Sequence, residues 1–222
     1  MTATNTKGLS IILAEDHSLV AGGLQLLLEP EFEVLEVVGN GIEAVEVCRK
    51  RRPDIAILDI SLPQMNGLEA LREIKKDLSR TRVVMLTGMA DVTVATEAFR
   101  LGANGYVLKH SAPTELLTAL REVAQGRTYI TPRIANDVLQ RLMAPSSKNE
   151  SGPNLTARER QILQLIAEGK SSKEAGASLG VTPRTIEFHK RNLMEKTGLR
   201  STAELARYAA EKGLVSKVGN DL

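Results

Sequence analysis

The first 126 residues alternate between two hydrophobic periods. Short β-branched runs at 9–14, 33–38, 54–59, 82–87 and 105–108 predict five strands. Several are apolar almost throughout, as strands covered on both faces of a parallel sheet must be. Between them, apolar positions recur at helical spacing over 19–29, 42–51, 68–76, 92–101 and 114–124. Asp91 is placed to cap the fourth of these helices, and Pro113 suits the first turn of the fifth. Five successive βα units predict a doubly wound α/β domain over residues 8–126, with a five-stranded parallel sheet in the order 2-1-3-4-5.

After Gly126 the pattern changes. Residues 132–142 read as one amphipathic helix, and 144–154 (APSSKNESGPN) combine proline, serine and glycine with no apolar period. Residues 127–153 are therefore expected to be a linker, partly helical. Beyond it no strand-like run occurs. Four helical patterns at about 156–168, 172–179, 183–197 and 201–212 predict a second, all-α domain over 154–215.

Charge sharpens this division. Residues 1–126 hold 13 Lys and Arg against 17 Asp and Glu, net −4, whereas residues 127–222 hold 16 against 10, net +6. An acidic site in the first half and a polyanionic partner for the second would account for that split. Composition otherwise excludes more than it assigns. No apolar run approaches the ~20 residues of a membrane span, and MTATNTKG lacks the apolar core of a secretion signal. The single cysteine, Cys48, forbids an internal disulfide and reads as a small buried hydrophobe. A cytoplasmic protein without membrane partners is expected.

In a doubly wound sheet, function gathers at the carboxyl ends of the strands. Glu15 and Asp16 follow the first strand and Asp59 ends the third, its neighbour in the sheet. Three converging carboxylates repel unless a cation sits among them, and an all-oxygen set with open positions favours Mg²⁺. Thr87 follows in the fourth strand and Lys109 after the fifth. Three acids, a hydroxyl and an ammonium suit phosphoryl transfer: a carboxylate to attack phosphorus, the others to neutralise and hold the group.

Glu15-Asp16, LDISLPQMNG around Asp59, Thr87 and GYVLK ending at Lys109 together resemble the receiver domains of response regulators. The resemblance implies a flavodoxin-like fold in which Asp59 takes a phosphoryl group from a phosphohistidine of a sensor histidine kinase. It implies Mg²⁺ bound by Glu15, Asp16, Asp59 and the backbone carbonyl of Ser61, and a switch pair of Thr87 and Tyr106. In that switch the threonine moves toward the phosphoryl group and the aromatic ring turns inward. Ser61 and Met89 would flank the path of the hydrolytic water.

The second half, LTARERQILQLIAEGKSSKEAGASLGVTPRTIEFHKRNLMEKTGLRS, is similar to the DNA-binding domain of the LuxR, NarL and FixJ regulators. Leu155, Ile162, Leu163, Leu165 and Ile166 give its first helix an apolar stripe, and Gly169 lies just past its end. Thr182 caps the third helix with Pro183 at its first position. Ile186 and Leu193 face the core. Arg184, Phe188 and Arg191 form the outer stripe, with Glu187 and Lys190 at its flanks, and this stripe would enter the major groove of double-stranded DNA. Thr182 and Thr185 join the same DNA-facing set, and His189 is expected at the helix base. Ala175-Gly176 departs from the family's usual Ile-Ala; mid-helix glycine costs roughly 1 kcal/mol against alanine, which would loosen that helix. The fourth helix, with Ala203, Leu205, Ala206, Ala209 and Ala210, is apolar enough to supply a dimer contact.

These readings combine into a phosphorylation-controlled transcription factor that forms a homodimer, at least when phosphorylated. The alternative is a regulator that binds DNA whatever the state of Asp59. No Ser–His–Asp or Cys–His arrangement is visible, so a stand-alone enzyme is not expected.

Overall fold

The computed structural model describes residues 8–88, 90–111, 113–143, 155, 157–179 and 181–211. Two compact units divide the chain between residues 144 and 145.

The first unit contains β1 (Ser10–Ala14), α1 (Ser18–Leu28), β2 (Glu33–Val38), α2 (Gly41–Arg51), β3 (Ile55–Asp59) and α3 (Gly67–Asp77). It continues with β4 (Arg82–Thr87), α4 (Val92–Arg100), β5 (Gly105–Leu108) and α5 (Pro113–Ala124). All neighbouring strands pair in parallel, β2-β1-β3-β4-β5, as expected from the βα alternation. The near-continuous apolar strands have a simple cause: alternate side chains enter two separate cores. Ile12, Leu58 and Met85 pack with α2, α3 and α4, while Ile11, Ile57 and Leu86 pack with Leu28 of α1 and Leu116 and Leu120 of α5. Local capping agrees with the reading of the chain. Asp91 accepts from the amides of Thr93 and Val94 at the start of α4.

The domain does not end at Gly126. A sixth strand, β6 (Tyr129–Ile130), adds parallel to β5, and α6 (Pro132–Met143) buries Ile134 and Val138 in the core that also holds Val94, Ala95 and Ala98 of α4. Residues 129–143 are thus part of the first unit rather than linker. Two paired residues are too short a run to show a strand by alternation, and the apolar stripe of α6 does not reveal its partner. Residues 144–154 lie outside the described part of the chain.

One side chain fastens this addition. Thr131 is buried, its hydroxyl accepts from the Leu108 amide at 3.2 Å and donates to Glu115 Oε1 at 2.6 Å, and its amide donates to the Tyr106 carbonyl at 3.0 Å. It joins β5, α5 and the N-terminus of α6.

The second unit is entirely helical: α7 (Ala157–Ala167), α8 (Ser172–Leu179), α9 (Pro183–Thr197) and α10 (Thr202–Glu211). Ile162, Leu163, Ile166, Ala175, Ile186, Leu193, Leu205 and Ala209 form its core. Gly169 ends α7 at φ 77°, the left-handed conformation glycine favours. Two findings go beyond the pattern of the chain. Gly176 has a packing reason: a Cβ there would stand 2.7 Å from the Val181 carbonyl oxygen, so glycine lets the turn close on the helix. Leu205 and Ala209 are consumed by the core, leaving Ala203 the exposed alanine among the apolar positions of α10. Among the described residues no helix is long and apolar enough to cross a membrane.

Replacing Thr131 by valine removes a donor and an acceptor and strands the Leu108 amide. The expected cost is about 1–3 kcal/mol, with faster amide exchange through β6 and α6 than in β1 and β3. Hydrogen-exchange mass spectrometry of the full chain measures this, and unchanged protection would remove Thr131 as the fastening.

Candidate functional site

The strand ends bring four of the expected residues into one polar cluster. Glu15 follows β1 with its amide on the Val38 carbonyl, Asp59 closes β3, and both are buried, at 3% and 2% exposure. The Lys109 ammonium, one residue past β5, lies 2.6 Å from Glu15 Oε2 and 2.8 Å from Asp59 Oδ2. Burial alone would pull the Lys109 pKa down, but its hydrogen bonds and charge attraction to Asp59 and Glu15 outweigh that and hold it above the ordinary lysine value. Asp16 is exposed beside them.

His17 sits at the N-cap of α1 but makes no side-chain cap bond. Its Nδ1 instead lies 2.8 Å from Asp16 Oδ1 and 3.2 Å from Glu15 Oε1. Glu15, Asp16 and His17 thereby group closely enough to share an ion, while Asp59 joins them through Lys109. Nothing in the pattern of the chain distinguishes a capping histidine from this one.

The loop after β3 fixes the acceptor's geometry. The Ser61 amide donates to Asp59 Oδ1 at 3.2 Å, and Asn66 caps α3 by accepting from the Glu69 amide. Gly67 begins that helix directly against the strand: a Cβ there would lie 2.1 Å from the Asp59 carbonyl oxygen. Only glycine permits α3 to start so close. Thr87 is buried at the end of β4, and Tyr106 is fully buried on β5, its ring 6.5 Å from that of Phe99. The Tyr106 backbone belongs to the β4–β5–β6 ladder, and its side chain packs in the core that also holds Val94, Ala95 and Ala98 of α4. Met89 lies outside the described residues.

The arrangement has an unbalanced charge. Glu15 and Asp59, both out of water, share the one ammonium of Lys109, and the exposed Asp16 carboxylate lies against His17. A divalent cation would restore balance, and hard oxygen donors suit Mg²⁺. The Glu15 and Asp16 oxygens supply part of the expected donor set, grouped here with His17 rather than with Asp59.

In the second unit, Thr182 accepts from the Thr185 amide and starts α9, with Pro183 next. Ile186 and Leu193 point into the core as expected. Arg184, Glu187, Phe188 and Arg191 are exposed, Phe188 by 57%, a large apolar ring in water. Lys190 and Thr185 are half-buried, and the His189 ring packs edge-on against Phe188. Helix α9 is tied to α7 behind this face, and α7 to α8. Lys196 pairs with buried Glu159 of α7 at 2.8 Å, and Arg158 donates to the Leu179 carbonyl at the end of α8. Gly180, in the turn between α8 and α9, lies outside the described residues.

Residues 11–121 match the family described as response regulator receiver domain, and residues 153–209 match bacterial regulatory proteins of the luxR family. The chain is 37% identical to the transcriptional regulatory protein MctR of Rhizobium johnstonii, over 97% of this chain and 100% of that protein. It is 33% identical to the oxygen regulatory protein NreC of Staphylococcus carnosus, over 93% and 99%. Among solved structures, a LuxR-family two-component response regulator from Aurantimonas is 33% identical with a TM-score of 0.58, covering 61% of this chain and 98% of that one. The RcsB response regulator of Salmonella typhimurium is similar in fold, at 24% identity and a TM-score of 0.62 over 93% and 98%.

The buried Tyr106 phenol supplies a test of the packing behind the cluster. Burial, with the charge of Asp91, pushes its pKa above the ordinary tyrosine value, against a smaller opposing effect from the Thr87 hydroxyl. The folded chain then holds this proton more tightly than the unfolded chain. The associated stability is complete below the unfolded value of about 10 and is lost as pH rises above it. Tyr106→Phe is expected to flatten the alkaline fall in stability, read from urea unfolding of the full chain at about pH 8 and about pH 11; equal slopes for both proteins would refute this.

Proposed function

The chain belongs to the NarL/FixJ family of response regulators, with a receiver domain and a LuxR-type DNA-binding domain, and on that footing we propose that phosphorylation of Asp59 controls its dimerisation and its sequence-specific binding to promoter DNA. It is a transcription regulator, not an enzyme. The observation that carries the proposal is the Lys109 ammonium shared between buried Glu15 and Asp59 at adjacent strand ends.

The donor is a phosphohistidine on a sensor histidine kinase. An Asp59 carboxylate oxygen attacks phosphorus, the P–N bond breaks, and the departing imidazole keeps the electron pair and takes a proton. An aspartyl phosphate remains. Lys109, already bonded to Asp59 Oδ2, then pairs with a phosphoryl oxygen, since the new acyl phosphate no longer carries the carboxylate charge it had matched. Mg²⁺ held by Glu15, Asp16, Asp59 and the Ser61 backbone carbonyl would neutralise the phosphoryl oxygens. Thr87 donates its hydroxyl to the phosphoryl group, and Tyr106 occupies the space behind it.

The output lies on α9. Arg184 and Arg191 can bond guanine or phosphate, Phe188 can pack on a thymine methyl, and Thr182, Thr185, Glu187 and Lys190 border them. The phenyl ring of Phe188 is exposed between the two arginines of this outer face, where it is free to meet a base. Two copies would set two α9 helices about one turn of DNA apart.

The second, alternative reading is a regulator that binds DNA whatever the state of Asp59. The two readings separate in one experiment. The full chain is treated with Mg²⁺ and acetyl phosphate, then followed by intact mass and by binding to DNA that the protein itself has selected from a random pool. The expected result is one added phosphoryl group on the wild type and none on Asp59→Ala, with tighter DNA binding only in the modified protein. Modification without any change in DNA affinity would favour the second reading, and no modification at Asp59 would defeat the first.

A further inference from the structure

Glu187 stands on the DNA-facing helix, where a carboxylate has two possible uses: it can accept from a cytosine amino group, or it can manage a neighbouring cation. Its surroundings distinguish them. Oε1 of Glu187 accepts a hydrogen bond from the Ser172 hydroxyl, the first residue of α8, and lies 3.2 Å from Lys190 Nζ, one turn along its own helix. Lys190 Nζ in turn lies 3.5 Å from Ser172 Oγ. Three side chains from two helices close a triangle. The carboxylate also sits at the N-terminal end of α8, where the helix dipole favours negative charge.

The consequence appears in exposure. The Lys190 side chain is only 18% exposed, although lysine on an outer helix face usually extends into water, while that of Glu187 is 55% exposed. The hydrogen bond from Ser172, together with the charges of Lys190 and Arg191, holds the Glu187 pKa below the ordinary carboxylate value despite partial burial. Arg184 and Arg191, by contrast, are exposed.

We propose that Glu187 is a positioning residue for DNA recognition: it ties Lys190 to Ser172 of the supporting helix and withholds that ammonium from the phosphate backbone. This rests on the reading of α9 as the DNA-binding helix. Non-specific affinity grows with each phosphate neutralised, whereas base contacts add only at the correct site. Withholding one cation therefore lowers binding to the wrong sequences without weakening base contacts by Arg184 or Arg191. Pairing also fixes α8 to α9 on the side facing the groove.

The salt dependence of binding tests this, because each phosphate contact contributes about 0.9 to the slope of log K against log salt concentration. With the full chain on its selected DNA and on random duplex, Lys190→Ala alone is expected to leave both slopes unchanged. Glu187→Gln is expected to steepen both by about 0.9, so that a tenfold rise in salt costs about eightfold more affinity than in the wild type. Glu187→Gln with Lys190→Ala should return the slope to the wild-type value, which a general loss of negative charge would not do. Glu187→Ala, which removes the bond to Ser172 as well, should behave as Glu187→Gln. A shallower slope for Lys190→Ala in the wild-type background would overturn the proposal. So would an unchanged slope for Glu187→Gln with lost preference for one cytosine, which would make Glu187 a base reader. A wild-type slope near zero, also unmoved by Arg191→Ala, would remove the DNA-binding reading itself and the proposal with it.

Discussion

Two carboxylates buried on adjacent strands repel each other strongly, because little water remains to screen them. Glu15 and Asp59 stand in that position, and the ammonium of Lys109 is what makes it tolerable. The three come from β1, β3 and the end of β5, so their meeting requires the crossover order of the whole sheet. One ammonium does not match both buried carboxylates, and exposed Asp16 adds a third acid beside them. On the proposed reading, a divalent cation and a phosphoryl group on Asp59 would act on that excess of negative charge.

The mechanical surroundings of the cluster are stiffer than its electrostatics. Gly67 brings the start of α3 against the Asp59 carbonyl, and Lys109 is bonded through its amide to the Thr87 carbonyl. On β5 the ladder runs from Tyr106 to β6 and then to Thr131, where α6 begins. A change in the position of Tyr106 would therefore strain backbone hydrogen bonds belonging to the last strand and helix of the first unit. In the second unit the corresponding stiffness comes from Glu159 and Lys196, and from the close approach of Gly176 to the turn.

Much of this was legible along the chain, and the physical reasons are visible in its residues. Strands buried on both faces carry a strong signal, so five strands and their helices emerged within a residue or two of their observed limits. Caps such as Asp91 and Thr182 act locally and could be read locally. Interactions at a distance could not. His17 resembles any residue before a helix, and its contact with two acids depends on the turn that the backbone makes. Gly176 looked like a weak point because its value lies in an approach by Val181 five residues on. The apolar stripe of α6 was plain, but its partner α4 was not. The alanines of α10 showed an apolar face without showing that Leu205 and Ala209 were committed to α7 and its neighbours.

That α6 completes the first unit bears on how these two modules can be separated or recombined. A fragment severed after Gly126 would lose an edge strand, expose the carbonyls of Asn104 and Tyr106, and uncover the apolar side of α4 that Ile134 and Val138 fill. Such a fragment would be prone to stick to itself through that bare edge. A cut, or a graft of a foreign output domain, placed beyond Met143 would spare both. Modularity in this chain therefore begins some seventeen residues later than the five-fold βα repeat suggests, as the difference between 143 and 126.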